Sequence, residues 1–277
     1  MSRPKLDGVA ETTVPKLPDK PSAYRERNST ADRALDILGL FTTERLRVSA
    51  ADVAAELGVA RSTAYRYLVT LGAAGYVEED PGGGFRLGLK VFELARLART
   101  SYGLSTVALP VLEELSRSTG ETALLTRRSG ARAVCLEKEE PSGQGMRVSY
   151  ERGSVMTLNA GASAWVLLAW EDPAVVRALL RAGELPRFTD ASVTSESAVE
   201  ARLAGIRRDG YAISYGELDP DAVGIAAPVR DDQDRVVAGV SIVAMSRRVP
   251  ASQVKQLVDA VMDASRRISE MVALTAQ

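Results

Sequence analysis

The chain contains no histidine and only one cysteine, Cys135. The first absence removes Ser-His-Asp and Cys-His nucleophilic catalysis and every histidine-bearing metal site; the second forbids an intrachain disulfide and a thiolate cage. Any catalysis would have to run on carboxylates, lysine, serine or tyrosine alone, so the reading is a protein that is not an enzyme, with no metal and no cofactor. Cys135 follows Ala133 and Val134 and precedes Leu136, a strand-like run in which a lone thiol packs as a small hydrophobe. No stretch of about 18 apolar residues occurs, so no membrane span is expected. The first 28 residues place Pro4, Pro15, Pro18 and Pro21 among polar groups. They lack the apolar core of a signal peptide and read as a disordered tail. A soluble, cytoplasmic protein is the expectation.

What is present is ordinary in bulk. With 277 residues, 45% hydrophobic and 26% charged, the chain suits two folded domains plus the tail. The net charge of −1 favours no partner, and only a slight basic excess gathers toward the N-terminus.

Local signals then order the chain. Ser29-x-x-Asp32 reads as a capping box ahead of Leu35, Leu38 and Phe41, predicting a helix over 30–41. Ser49-x-x-Asp52 starts a second, short helix through Val53, Ala54 and Leu57 that should stop at Gly58. A third begins at Arg61 or Ser62, with Ala64, Tyr67, Leu68 and Leu71 on a packing face and Ser62, Tyr65, Arg66 and Val69 on the other. Ala54-x-x-x-Gly58 suits a helix-turn-helix, because a small residue and a glycine permit close approach and a sharp turn; ordinary two-helix hairpins share it. Gly75 to Gly88 reads as strand, glycine-rich turn and strand, the order of a winged helix. The alternative of a phosphate-binding loop fails because Gly82, Gly84 and Gly88 miss the G-x-G-x-x-G spacing. Beyond it the periodicity predicts a linking helix over 89–102 and a helix over 105–118. Strands at 121–127, 131–138 and 144–151 follow, then helices through 158–182 and 196–208. Strands at 211–215, 223–229 and 236–243 precede a closing helix over 252–274. Gly161 to Trp165 imitates half a nucleophile elbow but lacks its second glycine and any histidine base; Arg230 to Arg235 reads as a hairpin turn, not a cation site.

From residue 29 onward the sequence resembles the IclR family of bacterial regulators. The likeness is carried by Arg33-Ala34-Leu35-x-Ile37-Leu38-x-x-Phe41, Ala54-x-x-Leu57-Gly58, Arg61-Ser62-Thr63-x-Tyr65-Arg66-x-Leu68-x-x-Leu71 and the Gly75 to Gly88 hairpin. In the C-terminal part it rests on Gly210-Tyr211-Ala212, Glu217, Gly224 to Val229 and Ala238 to Ser241. The resemblance implies an α+β protein: a winged helix-turn-helix over 29–88, a linker helix over 89–103 and a GAF-like effector-binding domain over 104–277. It further implies a homodimer or homotetramer that binds operator DNA and a small-molecule effector, with repression the commoner role. A recognition helix offers the N-terminal half to the major groove, which nominates Arg61, Ser62, Thr63, Tyr65 and Arg66, with Arg86 on the wing for phosphate or minor groove. The resemblance places the effector against Met156, Ala160, Gly161, Ser214, Gly224, Ser241 and Val243. This chain departs from the family there: Gly224 stands where cysteine is frequent, Val243 where a second polar group can occur, Ser214 where an acid is common. Fewer polar groups favour a less polar or aromatic effector, because buried polar groups without partners cost about 1 to 3 kcal/mol each. Two rival readings remain: an enzyme with an appended DNA-binding module, and a winged helix that binds protein, whose third helix would expose an apolar face.

Overall fold

The computed structural model describes residues 29–101, 103–141, 150–182 and 185–275; the expected disordered tail over 1–28 lies outside them. Two compact units separate, one ending at 73 and including 77–87, the other holding 74–76 and everything from 88.

The first unit comprises α1 (Ser29–Leu38), α2 (Ala50–Leu57), α3 (Arg61–Ala73), β1 (Val77–Glu79) and β2 (Phe85–Leu87). Its core is Ile37, Val48, Val53, Ala64, Leu68, Leu71, Val77 and Phe85. The α2 cap follows the sequence reading: Ser49 Oγ accepts from the Asp52 N–H at 3.2 Å, and the Asp52 carboxylate accepts from the Ser49 N–H at 2.7 Å. Gly58 ends α2 at φ 62° with its N–H on the Ala54 carbonyl, and α3 begins three residues later. The turn needs the left-handed conformation that glycine adopts without steric cost. The first helix differs from expectation at both ends. Ser29 is already its first residue instead of a cap before it, and the helix ends at Leu38, where Gly39 donates back to the Leu35 carbonyl. β1 and β2 pair antiparallel, and a bridge between Val48 and Phe85 fastens the segment before α2 to the wing.

The second unit runs through α4 (Leu89–Ser101), α5 (Leu104–Thr119), β3 (Thr122–Ser129), β4 (Arg132–Glu139), β5 (Val155–Met156), α6 (Ala162–Ala169) and α7 (Pro173–Ala182). It continues with α8 (Glu196–Asp209), β6 (Ala212–Tyr215), β7 (Ala222–Arg230), β8 (Val236–Met245) and α9 (Ala251–Thr275). The strands form one six-stranded antiparallel sheet in the order β5-β4-β3-β8-β7-β6. Helices cover both faces. Ala123, Leu125, Ile225, Ala227, Val240 and Ile242 pack with α5 and α9 on one side. Leu124, Cys135, Ala212 and Ala226 pack with α6, α7 and α8 on the other. Being covered twice explains why β7 and β8 read as unbroken apolar runs without a solvent-facing alternation. The whole is α+β, a winged helix-turn-helix followed by a GAF-like sheet domain.

Two expectations in this unit need correction or fall outside it. Most of the strand expected over 144–151 lies outside the described residues, and the strand paired to β4 is instead the two-residue β5. The helices expected through 158–182 are α6 and α7, separated at Trp170 to Asp172, and the first starts later than expected. There the Asp172 carboxylate accepts the Ala174 N–H at 2.6 Å, and Pro173 takes the first helical position, where its missing N–H costs nothing. Residues 158–161 stay outside any helix because Gly161 turns the chain at φ 86° into α6. The Arg230 to Arg235 cluster is a hairpin turn, in which Asp231 Oδ1 accepts from the Gln233 and Arg235 backbone N–H groups. No helix among the described residues is long and apolar enough to cross a membrane.

Candidate DNA interface and candidate effector site

The two faces of α3 separate as its periodicity demands. Ala64 and Leu68 are fully buried and Leu71 nearly so, while Arg61, Ser62, Tyr65, Arg66 and Val69 are exposed; Thr63 and Tyr67 lie between. Four of the five candidate reading residues are therefore free to meet a groove, and Thr63 sits at the edge of the packed face. The Tyr65 ring is held edge-on to Phe85 of β2, with centroids 6.2 Å apart, which fixes its direction relative to the wing.

Arg86 is placed differently from those five. It stands opposite Glu78 across the hairpin, and both its Nε and a terminal nitrogen meet one Glu78 oxygen at 2.7 Å. A second pair sits at the wing turn, Arg47 to Asp80 at 3.2 Å, and the Gly82 N–H donates to the same Asp80 oxygen at 2.8 Å. That backbone donor, with Arg47, holds the Asp80 carboxyl below the usual carboxylate range. Arg47 belongs to no sequence motif singled out above; only the Val48 bridge brings it to the wing.

On the sheet, Ser214, Gly224 and Val243 form one transverse row over β6, β7 and β8, and Ala226 and Ser241 lie in the next row on the same face. Ala162, the first residue of α6, meets this face, and Gly161 adjoins it at the approach to the helix. Four of the seven candidate effector residues therefore share one face, and Gly161 adjoins it. Met156 does not join the row: β4 and β3 lie between its strand and β8, roughly 14 Å at ordinary strand spacing.

The polar groups at this face already satisfy one another. Ser163 donates to Ser241 Oγ at 2.8 Å, and both hydroxyls are buried. Ser214 Oγ accepts from the Ala162 N–H at 3.0 Å. A Cβ on Gly224 would stand 2.8 Å from Ser214 Oγ, so glycine at that position lets Ser214 reach the helix. Glu217, 5% exposed, accepts from the Gly161 N–H at 2.9 Å, from Trp165 Nε1 at 2.6 Å and from an Arg202 nitrogen at 2.7 Å. That carboxylate pins the start of α6, a helix buried on every side. The same Arg202 nitrogen donates to the Ile213 carbonyl. Arg202 escaped the sequence reading, and Ser163 and Trp165 entered it only within the failed nucleophile elbow. The signal for Ser163 was a hydroxyl in an otherwise apolar, all-round hydrophobic helix, where a buried polar group needs a partner.

Two further observations bear on chemistry. A cleft of about 350 Å³ lies beside Thr189, Asp190, Tyr215, Gly216, Pro220 and Ser246, and none of the seven candidate effector residues lines it. Cys135 is buried, and desolvation pushes its thiol up to about 11, so it stays protonated and packs as expected. Among the described residues no cluster of acids or cysteine could hold a metal ion.

Comparison with known proteins agrees with this architecture. Residues 30–81 match the IclR helix-turn-helix domain, and residues 97–270 match the bacterial transcriptional regulator IclR C-terminal domain. The HTH-type transcriptional regulator XynR of Escherichia coli is 31% identical over 249 residues, covering 89% of this chain and 98% of that protein. An IclR transcriptional regulator from Alicyclobacillus acidocaldarius superposes with a TM-score of 0.78 at 28% identity, over 88% of this chain and 98% of the other. An IclR homolog from Microbacterium hydrocarbonoxydans, solved in complex with 4-hydroxybenzoate, gives 0.79 at 26% identity, over 90% and 100%. The chain belongs to the IclR family: it is a DNA-binding transcriptional regulator with an effector-binding C-terminal domain, and not an enzyme.

Proposed function

We propose that the chain is a ligand-responsive repressor of the cytoplasm, and that it reads operator DNA with Arg61, Ser62, Thr63, Tyr65 and Arg66. The observation that carries the reading face is the split of α3 into a buried apolar side and an exposed side bearing two arginines, two hydroxyls and a tyrosine, counting Thr63 at its edge. A protein-binding helix would expose apolar groups there. Arg66→Ala should leave circular dichroism unchanged and weaken operator binding by about 1 to 3 kcal/mol, the worth of a bidentate base contact. Unchanged affinity with unchanged fold would refute the reading face. Repression is the simpler sign of control, because occupancy alone blocks transcription whereas activation needs a specific contact with polymerase.

The chain acts as a homo-oligomer in this reading. α4 leaves Leu89 71%, Phe92 72% and Leu97 49% exposed, more apolar surface than a solitary helix keeps in water. A symmetric operator asks for paired reading heads. Sedimentation showing a monomer at micromolar concentration would overturn this.

The effector in this reading is small, of low polarity or aromatic, with one polar group, and it binds over Ser214, Gly224, Ser241 and Val243 beside Ala160 and Gly161. The Ser163–Ser241 pair supports it: each hydroxyl can both donate and accept, so the pair offers a polar anchor beside the apolar Gly224, Ala226 and Val243. The homologue that holds 4-hydroxybenzoate lends weight to an aromatic compound. Calorimetry of the full chain with neutral phenols and with aliphatic di-acids separates the possibilities, and Val243→Asp should lose the former. Binding of di-acids alone, or indifference to Val243→Asp, would place the effector elsewhere. A ligand that lowers operator affinity must itself bind less tightly when operator is present, by about 1 to 3 kcal/mol.

A further inference from the structure

We infer that the wing restrains DNA binding electrostatically: Glu78 and Asp80 neutralise the cations that would otherwise reach phosphate, leaving affinity to α3. The inference rests on the DNA-binding reading above and concerns what the wing adds to it. Between 77 and 87 the hairpin carries Glu78, Glu79 and Asp80 against Arg86 alone. Its one arginine spends both Nε and a terminal nitrogen on Glu78, and Arg47, from outside the hairpin, is spent on Asp80.

Surface pairs of this kind hold weakly, since Arg86 and Glu78 keep 50% and 41% of their side-chain surface in water. Geometry alone would therefore not keep Arg86 from a phosphate. Charge does. If the guanidinium swings to the backbone, the Glu78 carboxylate is left beside a polyanion, and Glu79 and Asp80 follow it there. Each phosphate contact normally gains affinity by releasing condensed counterions. A hairpin with an acidic surplus forfeits that gain and adds repulsion. The consequence is low affinity for DNA of unrelated sequence, so that discrimination rests on the base-reading face of α3.

The test uses the full chain, a duplex of unrelated sequence and titrations over a series of potassium chloride concentrations. Glu78→Gln should tighten binding about threefold to tenfold at 0.1 M salt and steepen the log–log salt slope by up to about 0.9, one added phosphate contact. Glu78→Gln combined with Arg86→Ala should lose that gain, which assigns it to the released arginine. An unchanged affinity and slope for Glu78→Gln overturns the inference, as does a gain that survives in the double variant. So does an Arg86→Ala variant whose salt slope on the same duplex falls by about 0.9, because the arginine would then already lie on phosphate. A chain that binds neither this duplex nor operator DNA at low salt fails differently: it removes the reading on which the inference rests. Thermal melting of each variant checks that the exposed substitutions leave the fold intact.

Discussion

Glu217 offers the sharpest quantitative test of how the effector domain is held together. Its carboxylate, 5% exposed, accepts hydrogen bonds from Gly161, Trp165 and Arg202, so Glu217→Ala strands three donors at once. They are not equal. Trp165 is wholly buried, and its Nε1–H has no water to turn to, which costs about 1 to 3 kcal/mol. The Gly161 N–H is only partly covered and contributes about 1 kcal/mol or less. Arg202 keeps 34% of its side chain in water and can rehydrate its charge, so the usual penalty for breaking a buried ion pair does not apply in full. The sum is about 2 to 4 kcal/mol, equivalent to a melting-temperature loss of roughly 5 to 12 °C for a unit of this size. Glu217→Gln keeps one acceptor oxygen for Gly161 and Trp165 and turns an amide toward Arg202, so it should cost about half as much. Both tryptophans, Trp165 and Trp170, lie in this domain, so intrinsic fluorescence follows its unfolding without interference from the winged helix. A loss below about 0.5 kcal/mol for Glu217→Ala, or a Gln variant no better than Ala, would show that the carboxylate is not what fixes the start of α6.

Two other outcomes follow from the same physics. Ser49→Ala removes the α2 cap and should destabilise the winged helix by about 0.5 to 2 kcal/mol, read as faster hydrogen exchange at the first turn of α2. The Ser49 backbone N–H and hydroxyl hold the Asp52 carboxyl below its ordinary 3.8. The cap's contribution is therefore present above that value and is lost as pH falls through the lower folded-state pKa, a window that acid titration of unfolding can follow. Glu121 behaves oppositely, since burial raises its carboxyl above 4.5 against the pull of Arg248. The folded state then keeps that proton to higher pH than the unfolded chain, and stability declines as pH rises from about 4.5 through the raised value. Glu121→Gln should flatten this decline; a pH–stability curve with the wild-type slope would refute it.

How much of this was legible beforehand depends on whether the cause was local. The absence of histidine, the Ser49–Asp52 cap, the Gly58 turn and the 3.6-residue split of α3 into packed and exposed faces are fixed by neighbours within a few positions, and each stands in the structure as read. The order of strands and helices in the C-terminal unit was legible for the same reason, apart from the segment between 144 and 182. There the two-residue β5 stands in place of a longer strand, and Gly161 delays the first helix to Ala162. What only the tertiary structure decided is which distant groups share a hydrogen bond. Arg86 looks like a free wing cation until hairpin register sets it opposite Glu78. Met156 looks like a neighbour of Ser241 until strand order puts β3 and β4 between them. Ser163 and Ser241, 78 positions apart, meet because α6 lies across the sheet, and Glu217 reaches Trp165 by the same packing. Periodicity encodes which face of an element is buried; the partner on the other side of that burial is set by sheet order and helix placement, which depend on the whole chain.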